Sequence, residues 1–384
     1  MDLPKYVDKT FGAIQTVPGP YGYDHYVPTP LPRTLDLAGP TVRALSEADR
    51  ALGRLAGAGR LLPNPHLLVQ PYLATEALAS SKIEGTQASL SEVLEAAAEG
   101  NDSADMDVRE VQNYIAAFEL GRRLLDELPL SLRLLRRVHE RLLVNVRGQE
   151  KQPGQFRTSQ NWIGPPGGTL GEATFVPPRY EPEMQNALQD WERLLHERES
   201  ELPPLVICGL LHYQFETIHP FLDGNGRLGR LVIILYLQDV GELPEPLLYL
   251  SPYFERDREL YYARLQGVRE RGEMQRWLEY FLTGVATQAR DAVDRAERLS
   301  DLQARYRAGL AGDRSNAPHL IDLLFTNPFI TTRRVMDALG ITNAGANSAI
   351  RRLEDQGWLE VHRVAGRGGR ITWAASEILD VLLD

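Results

Sequence analysis

The sequence predicts a mostly α protein: a helical body interrupted by one small β-hairpin flap and followed by a compact unit of three helices and two strands. Three observations predict this. Apolar residues recur at three- and four-residue spacing over most of the chain between Thr41 and Leu310. The stretch Gly148–Pro178 breaks that period with five prolines and many glycines. Beyond Ala311-Gly-Asp-Arg-Ser-Asn-Ala-Pro318 a new, shorter pattern ends in two β-prone runs.

Residues 1–40, rich in Pro, Gly and Tyr without a sustained period, read as an extended arm over the body. An Ala/Leu pattern predicts a helix from Thr41 to about Gly59. A second runs from near Pro71 through Ser80 and stops around Lys82-Ile-Glu-Gly85, where glycine suits a helix end. Helical spacing returns at Leu90–Glu99, Val108–Leu125 and Ser131–Val144. The flap follows, with short apolar pieces Asn161-Trp-Ile163 and Ala173-Thr-Phe-Val176 on either side of Gly167-Gly168. Helices resume at Met184–Glu197, Leu205–Thr217, Gly226–Val240, Tyr261–Val268 and Met274–Leu310. The last is an amphipathic connector, with Ala289, Val293, Ala296, Leu299, Leu302 and Tyr306 on one stripe and charges elsewhere.

The final unit reads as helices His319–Thr326, Thr332–Leu339 and Ala344–Gln356, then strands Trp358–Val364 and Arg370–Trp373 around a Gly/Arg tip. That order is a winged helix. Ala346, Ile350 and Leu353 form the inward stripe of its third helix, which leaves Asn347, Ser348, Arg351 and Arg352 outward.

At 384 residues the chain is long enough for two or three packed units, and 43% apolar with 24% charged residues is ordinary for a globular protein. A net charge of −10 argues against indiscriminate coating of nucleic acid. Cys208, the only cysteine, lies in the apolar run Leu205–Leu211 and reads as an inert buried thiol. No signal architecture opens the chain, and Leu231–Leu237, its longest strongly apolar stretch, is too short to span a bilayer. A cytoplasmic enzyme with no membrane partner is the expectation.

Chemistry concentrates in His219-Pro-Phe-Leu-Asp-Gly-Asn-Gly-Arg-Leu-Gly-Arg230. Gly224 and Gly226 let backbone N–H groups approach an anion without obstruction, and a helix starting at Gly226 directs its N-terminal dipole there. Arg227 and Arg230, three apart, project from one side of the first turn toward phosphate groups. Asp223 is an oxygen donor suited to Mg²⁺. His219 has the side chain whose ordinary pKa suits general-base work near neutrality.

Gly224-x-Gly226-x-x-Gly229 also fits a dinucleotide fingerprint, but that motif must follow a strand, and Leu205–Ile218 has helical spacing. No Gly-x-x-x-x-Gly-Lys-Ser/Thr sequence occurs. His212 and His219, seven apart, could share a helix face as metal ligands, but without a neighbouring carboxylate–His motif His212 reads as structural.

The twelve-residue run matches the Fic family pattern His-x-Phe-x-Asp/Glu-Gly-Asn-Gly-Arg-x-x-Arg at every fixed position. Phe156-Arg157, the flap ending in Val176-Pro-Pro178, and Tyr261-Tyr262 also resemble Fic landmarks. Ser80-Ser-Lys-Ile-Glu-Gly85 resembles the family's inhibitory pattern Ser/Thr-x-x-x-Glu-Gly/Asn. The layout is similar to bacterial Fic proteins with an N-terminal inhibitory helix, a helical Fic core and a C-terminal winged helix.

The resemblance implies transfer of AMP from ATP to a Ser, Thr or Tyr hydroxyl of a protein target, and of the chain itself. His219 would be the base, with Phe221 a core anchor that orients it. Asp223 would hold Mg²⁺. The Gly224–Gly226 amides, Asn225 and Arg227 would hold phosphates, and Arg230 the γ-phosphate. Ile163 and Gly164 of the flap, with Tyr261 and Tyr262, complete the expected ATP site, and the flap around Asn161–Gly164 would align a target segment. Glu84 would be inhibitory. Two other readings stay open: a Fic enzyme that removes AMP, and a transcription regulator whose core senses nucleotide.

We divide the chain into an N-terminal arm and inhibitory-helix region (1–110), the catalytic core with its connector helix (111–312) and the winged helix (313–384). Residues 313–384 hold eight Arg and nine Asp plus Glu, a net charge of −1, which favours protein docking over DNA reading. Against that, Arg351, Arg352, Arg363, Arg367 and Arg370 could converge on one face. The resemblance also allows pairing as a homodimer.

Overall fold

A computed structural model describes residues 1–61, 66–100, 103–165, 167–197, 200–365 and 370–384. The N-terminal arm is more regular than its composition suggests. β1 (Gly12–Val17) and β2 (Tyr23–Pro28) form an antiparallel hairpin in the register Ala13↔Val27 and Gln15↔His25. Gly12 is required here, because the Tyr26 ring lies where a side chain on residue 12 would start. Tyr26 N–H donates to Val176 O at 2.9 Å, which ties the hairpin to the flap. Pro and Gly at the strand ends mask the two-residue alternation, so the sequence reads as irregular.

The body is helical: α1 (Gly39–Leu61), α2 (His66–Ile83), α3 (Leu90–Glu99), α4 (Met106–Leu125), α5 (Leu132–Leu142), α6 (Gln185–His196), α7 (Pro204–Ile218), α8 (Asn225–Asp239), α9 (Ser251–Arg256), α10 (Arg258–Arg271) and α11 (Met274–Gly309). α2 begins a turn before Pro71, which lies inside it. α4 runs through position 110, so the boundary drawn there falls inside a helix. α1 lies along α11, while α7 and α8 pack together at the centre. Nearly every residue of those two is buried, and helices apolar on all sides belong in a core interior. The loop between them is therefore anchored at both ends in the most constrained part of the molecule. Cys208, on α7, is 1% exposed, and burial pushes its thiol up.

The C-terminal unit comprises α12 (Ala317–Thr326), β3 (Phe329–Thr331), α13 (Thr332–Leu339), α14 (Asn343–Asp355), β4 (Glu360–Ala365), β5 (Arg370–Ala374) and α15 (Ser376–Leu383). Its sheet runs β3-β5-β4, and Ala346, Ile350 and Leu353 of α14 are buried as their spacing predicts. β3 and α15 add to the predicted order. Three residues leave too short a run to show alternation, and α15 follows its strand with no Gly or Pro between. Arg367 and the rest of the predicted tip lie outside the described residues. The unit packs on α2, α3 and α11. Among the described residues no helix is long and apolar enough to cross a membrane.

Candidate active site

α7 terminates at His219, whose backbone is left-handed (φ 49°, ψ 60°) and whose N–H still donates to Phe215 O at 2.9 Å. A non-glycine residue holds that conformation only when its surroundings fix it. Arg157, 1% exposed, does much of the fixing: its guanidinium donates to the carbonyls of His219 (3.0 Å), Ser159 (3.2 Å) and Pro178. Asn161 Nδ2 donates to His219 O at 3.2 Å and Phe221 O at 2.9 Å. Phe221 is fully buried, stacked on His139 with centroids 3.8 Å apart and tilted against Phe156 at 5.1 Å. His139 Nδ1 accepts Gly154 N–H, so its Nε2 carries the hydrogen that donates to Asp223 O at 2.9 Å.

Across the loop, Asn225 Oδ1 accepts Phe221 N–H at 2.8 Å and its Nδ2 donates to Phe221 O at 2.9 Å. The Asn225 side chain is 2% exposed and spans the turn. What Asn225 offers an anion is its backbone. The first helical bond of α8 runs from Leu228 N to Gly224 O, so the N–H groups of Asn225, Gly226 and Arg227 have no intrahelical acceptor. Gly224 supplies the left-handed cap (φ 72°) that aims them.

His219 Nδ1 is buried without a hydrogen-bond partner. Burial, then the nearby Arg157 charge, lowers its pKa to about 4, with Glu84 opposing. The imidazole is thus neutral near pH 7 and free to accept a proton. Asp223 accepts Gly224 N–H at 2.6 Å and lies 3.6 Å from Arg227, with its side chain 40% exposed. Burial raises its pKa against the pull of Arg227. Arg227 has 5% side-chain exposure, lies 3.8 Å from Glu110, and keeps Nε and Nη1 buried without an acceptor. Unmatched buried guanidinium donors are costly, and an oxyanion would satisfy them.

Arg230 is held by three bonds: Nε to Ser80 Oγ (2.9 Å), and Nη2 to Ser80 O (2.8 Å) and to Glu84 Oε1 (2.7 Å). The Glu84 oxygen sits so close over Gly226 that a Cβ there would collide with it. Glu216, one turn before His219, points its Oε1 at the missing side chain of Gly229 and finds no hydrogen-bond partner.

The two tyrosines separate. Tyr261 is 1% exposed, stacked on Phe254 and within 2.8 Å of His212 Nε2. Its large ring completes an aromatic cluster beneath the loop. Tyr262 is 44% exposed, its hydroxyl in the field of Glu84 and Arg230. His212 is structural: its Nδ1 lies 3.0 Å from Gly229 O, and burial lowers its pKa to about 3. Among the described residues no cluster of three metal-ligating side chains occurs. In the flap the predicted hairpin reduces, among the described residues, to a single antiparallel bridge, Ile163↔Phe175. Ile163 N–H and C=O both face Phe175 and Thr174, so by strand alternation Gly164 turns its backbone the other way.

His139 and Glu216 carry contacts to which sequence reasoning gave no role, while Arg157, Asn161 and Ser80, which it placed in a landmark, the flap and the inhibitory motif, make contacts it did not specify. Burial of a charged or polar side chain cannot be seen in a linear pattern.

Residues 42–123 match the Fic/DOC family N-terminal model, residues 129–237 the Fic/DOC family model, and residues 319–360 the winged helix-turn-helix DNA-binding model. The chain is 30% identical over 145 residues to protein adenylyltransferase Fic of Drosophila willistoni, covering 37% of this chain and 26% of that one. It is 32% identical over 124 residues to the Drosophila grimshawi protein of the same name, covering 32% and 23%. The chain thus matches about a quarter of the length of these relatives. A solved Fic family protein from Desulfovibrio desulfuricans superposes with a TM-score of 0.58 at 21% identity, covering 89% of this chain and 97% of that one. A Fic domain containing signaling protein from Bacteroides thetaiotaomicron gives 0.51 at 17%, covering 66% and 97%. These two show that the fold is that of Fic proteins.

Proposed function

We propose, for a chain that carries a Fic/DOC family domain at 129–237 behind a Fic/DOC N-terminal region and ahead of a winged helix, that it transfers AMP from ATP to a protein hydroxyl. The observation that carries this reading is the loop itself: a neutral imidazole at the mouth of a helix N-terminus whose free N–H groups and buried Arg227 donors await an anion. The target Ser, Thr or Tyr oxygen attacks the α-phosphorus, His219 takes the hydroxyl proton, and pyrophosphate departs. Backbone N–H groups at 225–227 and Arg227 stabilise charge on the phosphates. Arg230 is the partner for the γ-phosphate.

Asp223 is the residue that would hold Mg²⁺. A single half-open carboxylate beside a phosphate cradle suits an ion that arrives with its nucleotide and fills its other positions with phosphate and water. Bound there, the ion supplies charge neutralisation to the polyphosphate. The flap would present Gly164 and its neighbours to an extended target segment. A cytoplasmic setting, where ATP is abundant, suits this chemistry.

Glu84 is, on this reading, inhibitory: its carboxylate takes Arg230 and overlies Gly226, where a triphosphate tail would lie. The decisive experiment is incubation with α-labelled ATP and Mg²⁺, followed by mass spectrometry. Label on a hydroxyl with the mass of an AMP adduct is the expected result. His219→Ala should lose about 10²–10⁴-fold in transfer and still bind ATP. Undiminished transfer by that variant would remove His219 as the base.

A further inference from the structure

The winged helix grips the chain on both sides of Glu84. α2, which ends at Ile83, packs on α12 and α15. α3, which begins at Leu90, packs on β3. Asn327 Nδ2 donates to Leu94 O at 2.8 Å and Arg334 Nη1 to Ala97 O at 3.1 Å. Arg363 of β4 pairs with Glu95 at 2.7 Å and with Glu99. Glu99 also rims a cavity of about 610 Å³ between α14 and the β4–β5 strands.

The net charge of this unit conceals two different faces. Asp322, Glu377 and Asp384 are neutralised by Arg307, Arg305 and Arg298 of α11, at 2.7, 2.6 and 2.6 Å. Asp313 is paired with Arg352 at 3.0 Å. Of the other acids, Glu354 lines the cavity and accepts Trp373 Nε1–H at 2.9 Å, and Asp337 lies 3.7 Å from Arg333. The outward face keeps Arg351 and Arg370 exposed, with Arg333 beside its one-turn neighbour Asp337 and the amides Asn343 and Asn347 in the first turns of α14. Amides and arginines along one exposed helix suit base edges and phosphates.

We propose that this face takes duplex DNA, and that DNA seated there loosens α3 and releases Glu84 from Arg230, an inference that rests on the inhibitory reading of Glu84. Phosphates approaching the α14–wing groove meet Glu99 at its rim, while Arg363, the wing's own phosphate partner, is held by Glu95 and Glu99. Exchange of those carboxylates for phosphate frees the C-terminal end of α3. The strain passes to the 84–89 segment, which is tied to α4 by Thr86 Oγ1 to Glu110 and Gln87 N to Asp107, both 2.8 Å.

The test measures anisotropy of a fluorescent mixed-sequence duplex at low salt, and AMP transfer with and without that duplex, on the full chain. Coupling is reciprocal, so Glu84→Gly should bind the duplex at least about fivefold tighter than wild type, and the duplex should raise wild-type transfer by a similar factor. Transfer by Glu84→Gly should not respond to the duplex. Arg351→Glu with Arg370→Glu should abolish binding and leave basal transfer unchanged. Absence of wild-type binding, or equal affinity in wild type and Glu84→Gly, overturns the proposal. If Glu84→Gly transfers faster at equal DNA affinity, the coupling falls and the inhibitory reading stands. If it binds tighter but transfers no faster, the inhibitory reading falls instead.

Discussion

Glu84 Oε1 lies 2.7 Å from Arg230 Nη2, directly over the backbone of Gly226. Burial alone would raise the Glu84 pKa, but the charge and hydrogen bond of Arg230, reinforced by Arg227 and His219, hold it below the usual carboxylate range. A planar anion accepting from a guanidinium, above an unhindered stretch of helix N-terminus, has the chemistry of a phosphate. Ser80, one turn earlier on α2, bonds the same guanidinium. The motif Ser80–Gly85 is therefore a two-point grip on one arginine.

If that grip suppresses turnover, Glu84→Gly raises AMP transfer at least about tenfold, since a hundredfold suppression needs a bias of only about 2.7 kcal/mol. Self-modification with α-labelled ATP is the readout. Adding Arg230→Ala should cancel the gain, because the γ-phosphate then loses its partner. Equal rates for wild type and Glu84→Gly at saturating Mg-ATP would end the inhibitory reading.

Gly226 allows a complementary test. A Cβ there would collide with Glu84 Oε1 and lie 3.1 Å from Arg230 Nη1. Gly226→Ala must displace the inhibitory carboxylate, but it also sets a methyl group where phosphate oxygens approach the amides. We expect no activation in the wild-type background and at least about a tenfold loss of kcat/KM in the Glu84→Gly background, the cost of a weakened anion site. Activation by Gly226→Ala alone would show that the backbone cradle is not used.

How much of this was legible follows from where each signal resides. The loop residues His219, Asp223, Gly224, Gly226, Arg227 and Arg230 are consecutive in space because they are nearly consecutive in sequence, so one motif places them all. The amphipathic stripes of α11 and α14 were equally plain. The β1–β2 hairpin was hidden by its Pro and Gly content, and among the described residues the flap's expected strands shrink to one bridge, its carbonyls at Ser159, Asn161, Pro177 and Pro178 accepting instead from the side chains of Arg157 and Gln160. The bonds of the Asn225 side chain to the Phe221 backbone were not legible either, because a linear pattern does not show which partner a polar side chain takes.

Arg157 should matter more to the loop than to the nucleotide. It donates to four carbonyls at and around the left-handed His219, those of Ile218, His219, Ser159 and Pro178, and makes no ion pair among the described residues that would explain its burial. Burial lowers its pKa to about 10, leaving it charged at neutral pH. Arg157→Met fills similar volume but removes the donor from the Ser159 and Pro178 carbonyls and leaves His219 O to Asn161 alone, at a cost of about 2–4 kcal/mol in unfolding free energy. Transfer in the Glu84→Gly background should fall chiefly in kcat, with ATP affinity little changed, because the base moves and the phosphate cradle does not. A variant of wild-type stability would show that the guanidinium contacts are incidental.

Glu216 predicts a pH dependence with a definite sign. Its carboxyl is 7% exposed, and burial raises its pKa to about 7 from 4.5, with Arg230 lowering it and Glu84 raising it. Its folded-state value lies above its unfolded one, so the native state binds the extra proton. Its contribution to stability is therefore intact below about pH 4.5 and is lost progressively as pH rises to about 7. Glu216→Gln keeps the shape and removes the titration. The stability difference between Glu216→Gln and wild type should accordingly be smallest near pH 4.5 and grow in favour of the variant up to about pH 7. There it levels off at about 3 kcal/mol at most for a shift of this size. Paired thermal or urea unfolding of the two proteins at pH 5 and pH 8 reads this directly. A difference that stays constant across that range would mean that Glu216 ionises normally in the folded protein. The unmatched oxygen over Gly229 would then need another cation close by, and Arg230, already bound to Glu84 and Ser80, would be shared by two carboxylates rather than one.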